Sequence, residues 1–365
     1  YPFAGTANAI VSLHLVATNG NRIAVTWDST AFEYLTSVKW NAHGLVISVM
    51  SRDQRILDIR AVDISSGQTN SLHTEHDECW VELVAGGPSL LEKGMLMWCG
   101  ERNGVRAIVV NNNVITPPQL QVRSIVRASH DNIIFSANNV QRPQELHVFS
   151  VQISGGEVTQ LSDGIGIHSA IVGGETTVLR SATLETRRSR TLVNNHHQLA
   201  NHAEEPLIGT NVSLHSVGPR GIATAVVLPE NHDGSMLPVL FDPYGGPHAQ
   251  RVLNASGAYL ASQWFANQGF CVVIADGSGT PGRGSTWERE VHRDLASSVL
   301  ADQLTVLRHL PEIAPCADTS RVAIRGWSFG GYLAAMAVLR APKQFHCAIA
   351  GAPVTDWALY DTFYT

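Results

Sequence analysis

Arg321-Val322-Ala323-Ile324-Arg325-Gly326-Trp327-Ser328-Phe329-Gly330-Gly331-Tyr332-Leu333-Ala334-Ala335-Met336-Ala337 is the stretch on which the reading of this chain turns. Its first five residues have the composition of a strand, and its last eight open a helix rich in small residues. Between them stands a Gly-x-Ser-x-Gly spacing. Composition alone produces such a spacing about 0.1 times in a chain of this length, so the spacing by itself is modest evidence. The strand before it and the helix after it give it weight. A serine at the tip of one sharp strand-to-helix turn is strained. Its neighbours two positions away must lack side chains if strand and helix are to close together. The turn exposes the hydroxyl, and the helix aims the positive end of its dipole at the reacting centre. The N–H of Phe329 then points to where an oxyanion develops. Ser328 is therefore predicted to be the nucleophile of a serine hydrolase.

Upstream of this turn the pattern is α/β. Strand-like runs at 212–217 and 223–228 precede a continuous apolar strand at 237–241. A helical stretch near 259–267, a buried strand at 270–275 and a helix over about 299–310 follow. Then come a strand at 321–325, a helix at 329–340 and a strand at 347–350. Strands alternating with helices of this kind describe an open, mostly parallel sheet. Asp318-Thr319-Ser320 and the polar stretch 194–205 read as connectors.

Before residue 200 the period changes to that of strands, with short alternating runs at 36–40, 45–50, 56–64, 95–99, 105–110, 133–137 and 146–153. The turn clusters Ser65-Ser66-Gly67-Gln68, Asn111-Asn112-Asn113 and Ser154-Gly155-Gly156-Glu157 recur at about 45 residues, the length of one propeller blade. A β-sandwich also gives many short strands, but the repeat at blade length favours a partial propeller of four or five blades. The expected organisation is an all-β propeller domain over 1–204 and an α/β domain over 205–365.

The 365 residues, 44% of them apolar, suffice for two cores. A net charge of -6 argues against a nucleic-acid partner. The sixteen histidines are scattered without metal-ligand spacing, so neither metal nor cofactor is expected. No apolar stretch approaches the roughly 20 residues of a membrane helix. Cys79, Cys99, Cys271, Cys316 and Cys347 lie far apart, and three of them sit in apolar runs that read as core strands. Free thiols and the lack of a signal peptide point to a cytoplasmic protein. The opening Tyr1-Pro2-Phe3 reads as the middle of a longer chain.

Three segments together carry a resemblance. They are Asp242-Pro243-Tyr244-Gly245-Gly246-Pro247, the turn Gly326-Trp327-Ser328-Phe329-Gly330-Gly331-Tyr332, and Ala352-Pro353-Val354-Thr355-Asp356-Trp357 with Tyr360-Asp361-Thr362-Phe363-Tyr364-Thr365. Tyr1-Pro2-Phe3-Ala4-Gly5 and Leu35-Thr36-Ser37-Val38-Lys39-Trp40 extend it into the first half. The set resembles the prolyl oligopeptidase family of serine peptidases, in its dipeptidyl peptidase IV branch. The resemblance implies a β-propeller followed by an α/β-hydrolase domain that breaks off after the nucleophile elbow. It implies Ser328 as nucleophile, with the Tyr244 hydroxyl and the Phe329 N–H forming the oxyanion hole. Val354, Trp357, Tyr360 and Tyr364, with the Phe329 ring, would wall a pocket for a proline ring, which aromatic faces suit. Where many relatives carry Tyr, position 329 is Phe. The implied activity releases N-terminal dipeptides after proline or alanine through an acyl-enzyme, from a peptide substrate, with room for a homodimer.

A reactive serine needs a base and an orienting acid, in the chain order Ser, Asp or Glu, His. Only His346 follows Ser328; it precedes Asp356 and Asp361 and opens a strand, so a structural role is expected. The resemblance places the acid and base beyond residue 365, and the glutamates that bind a substrate amino terminus upstream of residue 1. Glu204-Glu205 reads as a solvated pair. Exopeptidase and endopeptidase are therefore not separated by the residues present. An acylaminoacyl- or oligopeptidase of the same family remains an alternative, as does a propeller-based interaction protein with an inactive hydrolase domain. Gly277-Ser278-Gly279-Thr280-Pro281-Gly282 matches a dinucleotide-binding spacing, but Pro281 and Gly284 delay the helix such a site needs.

Overall fold

Residues 44–50 alternate across a strand so that Leu45, Ile47 and Val49 point one way and Val46 the other. Both sets are buried. The first packs with Val25 and Val62, and Val46 joins Ile59, Leu96, Trp98 and Val109. A strand covered on both faces needs layers on both sides, which is what successive propeller blades supply.

The computed structural model describes residues 1–364. Four four-stranded sheets follow one another, each with its strands in chain order. The first runs through Tyr34–Asn41, Gly44–Met50, Ile56–Val62 and Thr69–His76. The second has Ser89–Leu90, Leu96–Arg102, Val105–Val110 and Asn113–Val114. Leu120–Ala128, Asn132–Asn139, His147–Gln152 and Thr159–Gln160 make the third. The fourth comprises Ile167–Gly173, Thr176–Ala182, Arg190–Val193 and His197–Gln198. A hairpin of Leu13–Val16 and Arg22–Val25 precedes them. These are propeller-like blades. The turns at 65–68, 111–113 and 154–157 each join the third strand of a blade to its fourth, so the repeat in the sequence marks equivalent positions. In the fourth blade that place is taken by Asn194-Asn195, both at positive φ, leading into His197–Gln198. The stretch 194–205 thus contains a strand as well as a connector. Its two exposed residues carry no alternation that could announce it.

The chain divides into two compact units. One consists of Tyr1–Phe135, Ser150–Thr159 and Asp356–Thr365, the other of Ser136–Phe149 and Gln160–Thr355.

Within the second unit lies a six-stranded sheet of β1 (Val212–Val217), β2 (Ile222–Val227), β3 (Leu237–Phe241), β4 (Cys271–Asp276), β5 (Ala317–Trp327) and β6 (Cys347–Gly351). The helices are α1 (Leu260–Ala266), α2 (Ser285–Arg289), α3 (Ser297–Ile313) and α4 (Phe329–Arg340). The spatial order is β1-β2-β4-β3-β5-β6. β2 is antiparallel to both its neighbours, and β4, β3, β5 and β6 are mutually parallel. This is the hydrolase type of α/β sheet expected from the alternating pattern. β2 and β4 are buried at every position because both faces are covered. Ala223, Ala225 and Val227 of β2 and Val272 and Ile274 of β4, with Leu240, Val252, Tyr259 and Ala266, form a shared core.

Two further details differ from the sequence reading. Asp318-Thr319-Ser320 lies inside β5, as an irregularity where pairing passes from Pro238↔Asp318 to Val239↔Val322. The Asp318 carboxylate closes it by accepting the Ser320 N–H at 3.0 Å. Cys347 is exposed in this chain, although its apolar run reads as core.

Candidate active site

Ser328 joins β5 to α4 with φ 56° and ψ -118°. For a residue with a Cβ this conformation costs about 1–3 kcal/mol and persists only when its surroundings fix it. They do so here. The Ser328 N–H donates to the Gly351 carbonyl of β6 at 2.9 Å, and the Ser328 carbonyl accepts the Tyr332 N–H at 3.0 Å. The flanking glycines are sterically required. A Cβ on Gly326 would stand 2.1 Å from the Gly330 carbonyl oxygen. With the turn closed, Phe329 is the first residue of α4, at the positive end of the helix dipole.

Tyr244 follows β3 by three residues, and its loop is laid across the start of α4. A Cβ on Gly330 would meet the Pro243 carbonyl oxygen at 2.6 Å. Gly245 turns the chain with φ +67°, and a Cβ on Gly246 would stand 2.3 Å from the Phe329 ring. The two glycines therefore let this loop settle on Phe329. The Tyr244 and Phe329 rings lie with centroids 5.8 Å apart at 32°. Phe329 also meets Tyr332 edge-on at 5.7 Å. With 1% of its surface exposed, the Phe329 ring supports the Tyr244 loop from the core side. Ser328 and Tyr244 are both half-buried.

Val354, also half-buried, belongs to the same unit as Ser328 and Tyr244. Trp357, Tyr360 and Tyr364 belong to the other unit, where they form one cluster. Trp357 and Tyr364 are nearly parallel at 6° with centroids 6.0 Å apart, and Tyr360 meets Tyr364 edge-on at 5.1 Å. The start of the chain pins this segment. The Ala4 N–H donates to the Tyr360 carbonyl at 2.9 Å, and the Tyr34 hydroxyl donates to the Thr362 carbonyl at 2.9 Å. Thr362 Oγ1 donates to Asn8 at 2.5 Å. Sequence reasoning missed this anchoring by Ala4, Asn8 and Tyr34, because pairing across some 350 positions leaves no local signal.

His346 is used structurally. Its Nδ1 accepts the Val322 N–H at 3.1 Å while its backbone N–H donates to the Val322 carbonyl at 2.9 Å. Glu205 pairs with Arg188 at 3.1 Å on the surface, an exposed contact of little energetic weight. The glycine-rich stretch 277–282 is folded onto Trp287, whose indole N–H donates to the Gly277 carbonyl at 2.8 Å. Arg220 and Arg283 cover that ring at 4.3 and 3.9 Å. The helix that follows, α2, starts only at Ser285 and has five residues. The third glycine therefore opens no helix of the kind that receives a pyrophosphate.

Four further charged residues near the site escaped the sequence reading: Asp242, Arg251, Asp276 and Arg325. Three of them had a readable signal. Asp242 and Asp276 directly follow apolar runs, and Arg325 closes one. A charge that terminates a buried strand needs partners.

Residues 258–365 match the family model described as the prolyl oligopeptidase family, and residues 1–181 match that of the dipeptidyl peptidase IV N-terminal region. Venom dipeptidyl peptidase 4 of Vespa velutina is 25% identical over 100% of this chain and 53% of its own length. Dipeptidyl peptidase 8 of Homo sapiens is 29% identical over 64% of this chain and 28% of its own. The chain spans about half the length, or less, of these relatives. Among solved structures, dipeptidyl peptidase 4 of Porphyromonas gingivalis superposes with a TM-score of 0.86 at 23% identity, over 100% of this chain and 55% of that one. A putative dipeptidyl aminopeptidase IV from Bacteroides ovatus gives 0.85 at 22% identity, over 100% and 58%. At these identities the two structures speak for the fold.

Proposed function

We propose, on the premise that the chain belongs to the prolyl oligopeptidase family and is dipeptidyl peptidase IV-like, that the intact protein is a serine peptidase with Ser328 as its nucleophile. The observation that carries this is the backbone of Ser328, held at φ 56° between β5 and α4 with glycines at 326 and 330. In the proposed reaction Ser328 Oγ bonds to the scissile carbonyl carbon while a general base takes the hydroxyl proton. The carbonyl oxygen becomes an oxyanion received by Tyr244 Oη and the Phe329 N–H. The C–N bond then breaks, the base returns the proton to the leaving amine, and water hydrolyses the acyl-enzyme.

The finer reading is release of N-terminal dipeptides after proline or alanine, with Val354, Trp357, Tyr360 and Tyr364 contacting the residue before the cut. It keeps the domain boundary near residue 204, a cytoplasmic location and a homodimer. No helix among the described residues is long and apolar enough to cross a membrane, and the cysteines are free. The test is hydrolysis of Gly-Pro and Ala-Pro anilides by the intact protein, with and without acetylation of the substrate amine. Cleavage of the free amines alone supports dipeptide release. Equal cleavage of acetylated substrates moves the assignment to an oligopeptidase or acylaminoacyl peptidase. Absence of both favours an inactive, partner-binding role.

A further inference from the structure

The backbone ladder between β3 and β5 stops at Phe241↔Ile324. Beyond that pair β5 continues along β6 as far as Trp327↔Gly351, while on the other side the Asp242 N–H still donates to the Val273 carbonyl of β4 at 2.8 Å before the chain runs on to Tyr244. Where the ladder stops, a side-chain bridge takes over. Asp242 Oδ1 lies 3.6 Å from Arg325 Nε. The other Asp242 oxygen accepts from Arg251 Nη2 and from Ser262 Oγ, each at 3.0 Å. Arg251 Nη1 also donates to the Asp242 backbone carbonyl at 2.6 Å. The backbone N–H of Arg251 reaches Asp276, at the end of β4, at 2.9 Å. The Arg325 guanidinium rests over the Phe265 ring at 4.2 Å. Two carboxylates, two guanidiniums and the Arg251 backbone N–H thus tie together three adjacent parallel strands near their ends.

Stability does not explain these charges. Asp242 is almost wholly buried, and an apolar set of similar volume in such a place is commonly as stable as an ion pair. What an ion pair to Arg325, braced by the hydrogen bonds of Asp242 to Arg251 and Ser262, adds is one fixed geometry. The strands it fixes carry the two groups whose separation matters. Tyr244 lies two residues after Asp242, and Ser328 lies three residues after Arg325. Oxyanion stabilisation depends on donors held in advance at the right place, and displacement by about 1 Å can cost about 10²-fold in rate.

We infer that the Asp242–Arg325 bridge, braced by Arg251, positions the Tyr244 hydroxyl relative to Ser328. The inference rests on the assignment of Ser328 as nucleophile and Tyr244 as oxyanion donor. Asp242 and Arg325 act through Tyr244 and do not touch substrate.

The experiment is a double-mutant cycle in the intact protein, reading kcat and KM on an Ala-Pro anilide. The variants are Arg325→Met, Tyr244→Phe, both together, and Arg325→Lys as conservative rescue. Asp242→Asn is a near-isosteric second probe of the bridge, and melting curves confirm folding. Arg325→Met is expected to lower kcat about tenfold at unchanged KM. In the Tyr244→Phe background the same change should cost less than about twofold, and Arg325→Lys should recover part of the loss. An equal kcat loss in both backgrounds would show that the bridge is merely structural and overturn the inference, as would no loss for both Arg325→Met and Asp242→Asn. If Tyr244→Phe itself is without effect, the oxyanion assignment fails and takes the inference with it. Labelling of Ser328 by a fluorophosphonate then still reports separately on the nucleophile.

Discussion

Gly330 and Tyr244 meet backbone to backbone: a side-chain carbon on Gly330 would stand 3.4 Å from the Tyr244 Cα. The glycine of the elbow therefore does two jobs, closing the turn around Ser328 and admitting the loop that carries Tyr244. Gly330→Ala should push that loop off α4. The expected result is a destabilisation of about 1–3 kcal/mol with a disproportionate loss of turnover, read by thermal melting and anilide hydrolysis. Wild-type turnover in Gly330→Ala would show that the loop is not confined by α4.

Tyr244→Phe removes one hydroxyl and keeps the ring that packs on Phe329 at 5.8 Å. Turnover should fall about 10²–10³-fold, the usual effect of losing an oxyanion donor, with little change in melting temperature. A loss under about threefold would remove Tyr244 from the reaction.

Trp357→Ala breaks the near-parallel contact with Tyr364. If the cluster grips the residue before the cut, kcat/KM should fall more for Ala-Pro than for Ala-Ala anilides, about tenfold more, since aromatic faces favour the ring. The rate of fluorophosphonate labelling should hardly change. A loss shared equally by both substrates and by labelling would make the cluster a folding element.

Burial pushes the Asp276 carboxyl up to about 6, opposed by the Val252 and Arg251 N–H groups that it accepts. A carboxyl raised above its ordinary 3.8 stabilises the fold while protonated. That contribution is complete below about pH 3.8 and is lost as the pH rises through about 6. It amounts to a term on the order of 3 kcal/mol. The melting temperature of the wild type, taken relative to Asp276→Asn, should accordingly be higher at pH 4 than at pH 7. A flat difference across that window would contradict the buried, titrating carboxyl.

The fold was legible where local chemistry repeats. Polar turn clusters at 65–68, 111–113 and 154–157 mark the same turn in successive blades, because each reverses a strand through a glycine or asparagine at positive φ. The alternation of apolar strands and helices after residue 205 fixed the α/β class. Short edge strands such as His197–Gln198 were not legible, since two exposed polar residues pair through backbone alone. At the site, Ser328 could be read because its strain demands glycines at fixed offsets. The support of Tyr244 by the Phe329 ring, and of the 356–364 segment by Ala4, Asn8 and Tyr34, comes from contacts far apart in sequence. The Asp242–Arg325 bridge lay between these cases. Its charged residues were visible at strand ends, but their pairing required the β3–β5 register.

The most direct measurement is mass spectrometry of the intact protein after reaction with a fluorophosphonate. The account predicts one adduct, on the peptide bearing Ser328, absent from Ser328→Ala and appearing in step with loss of anilide hydrolysis. An adduct on another serine, or hydrolysis that survives in Ser328→Ala, would contradict it.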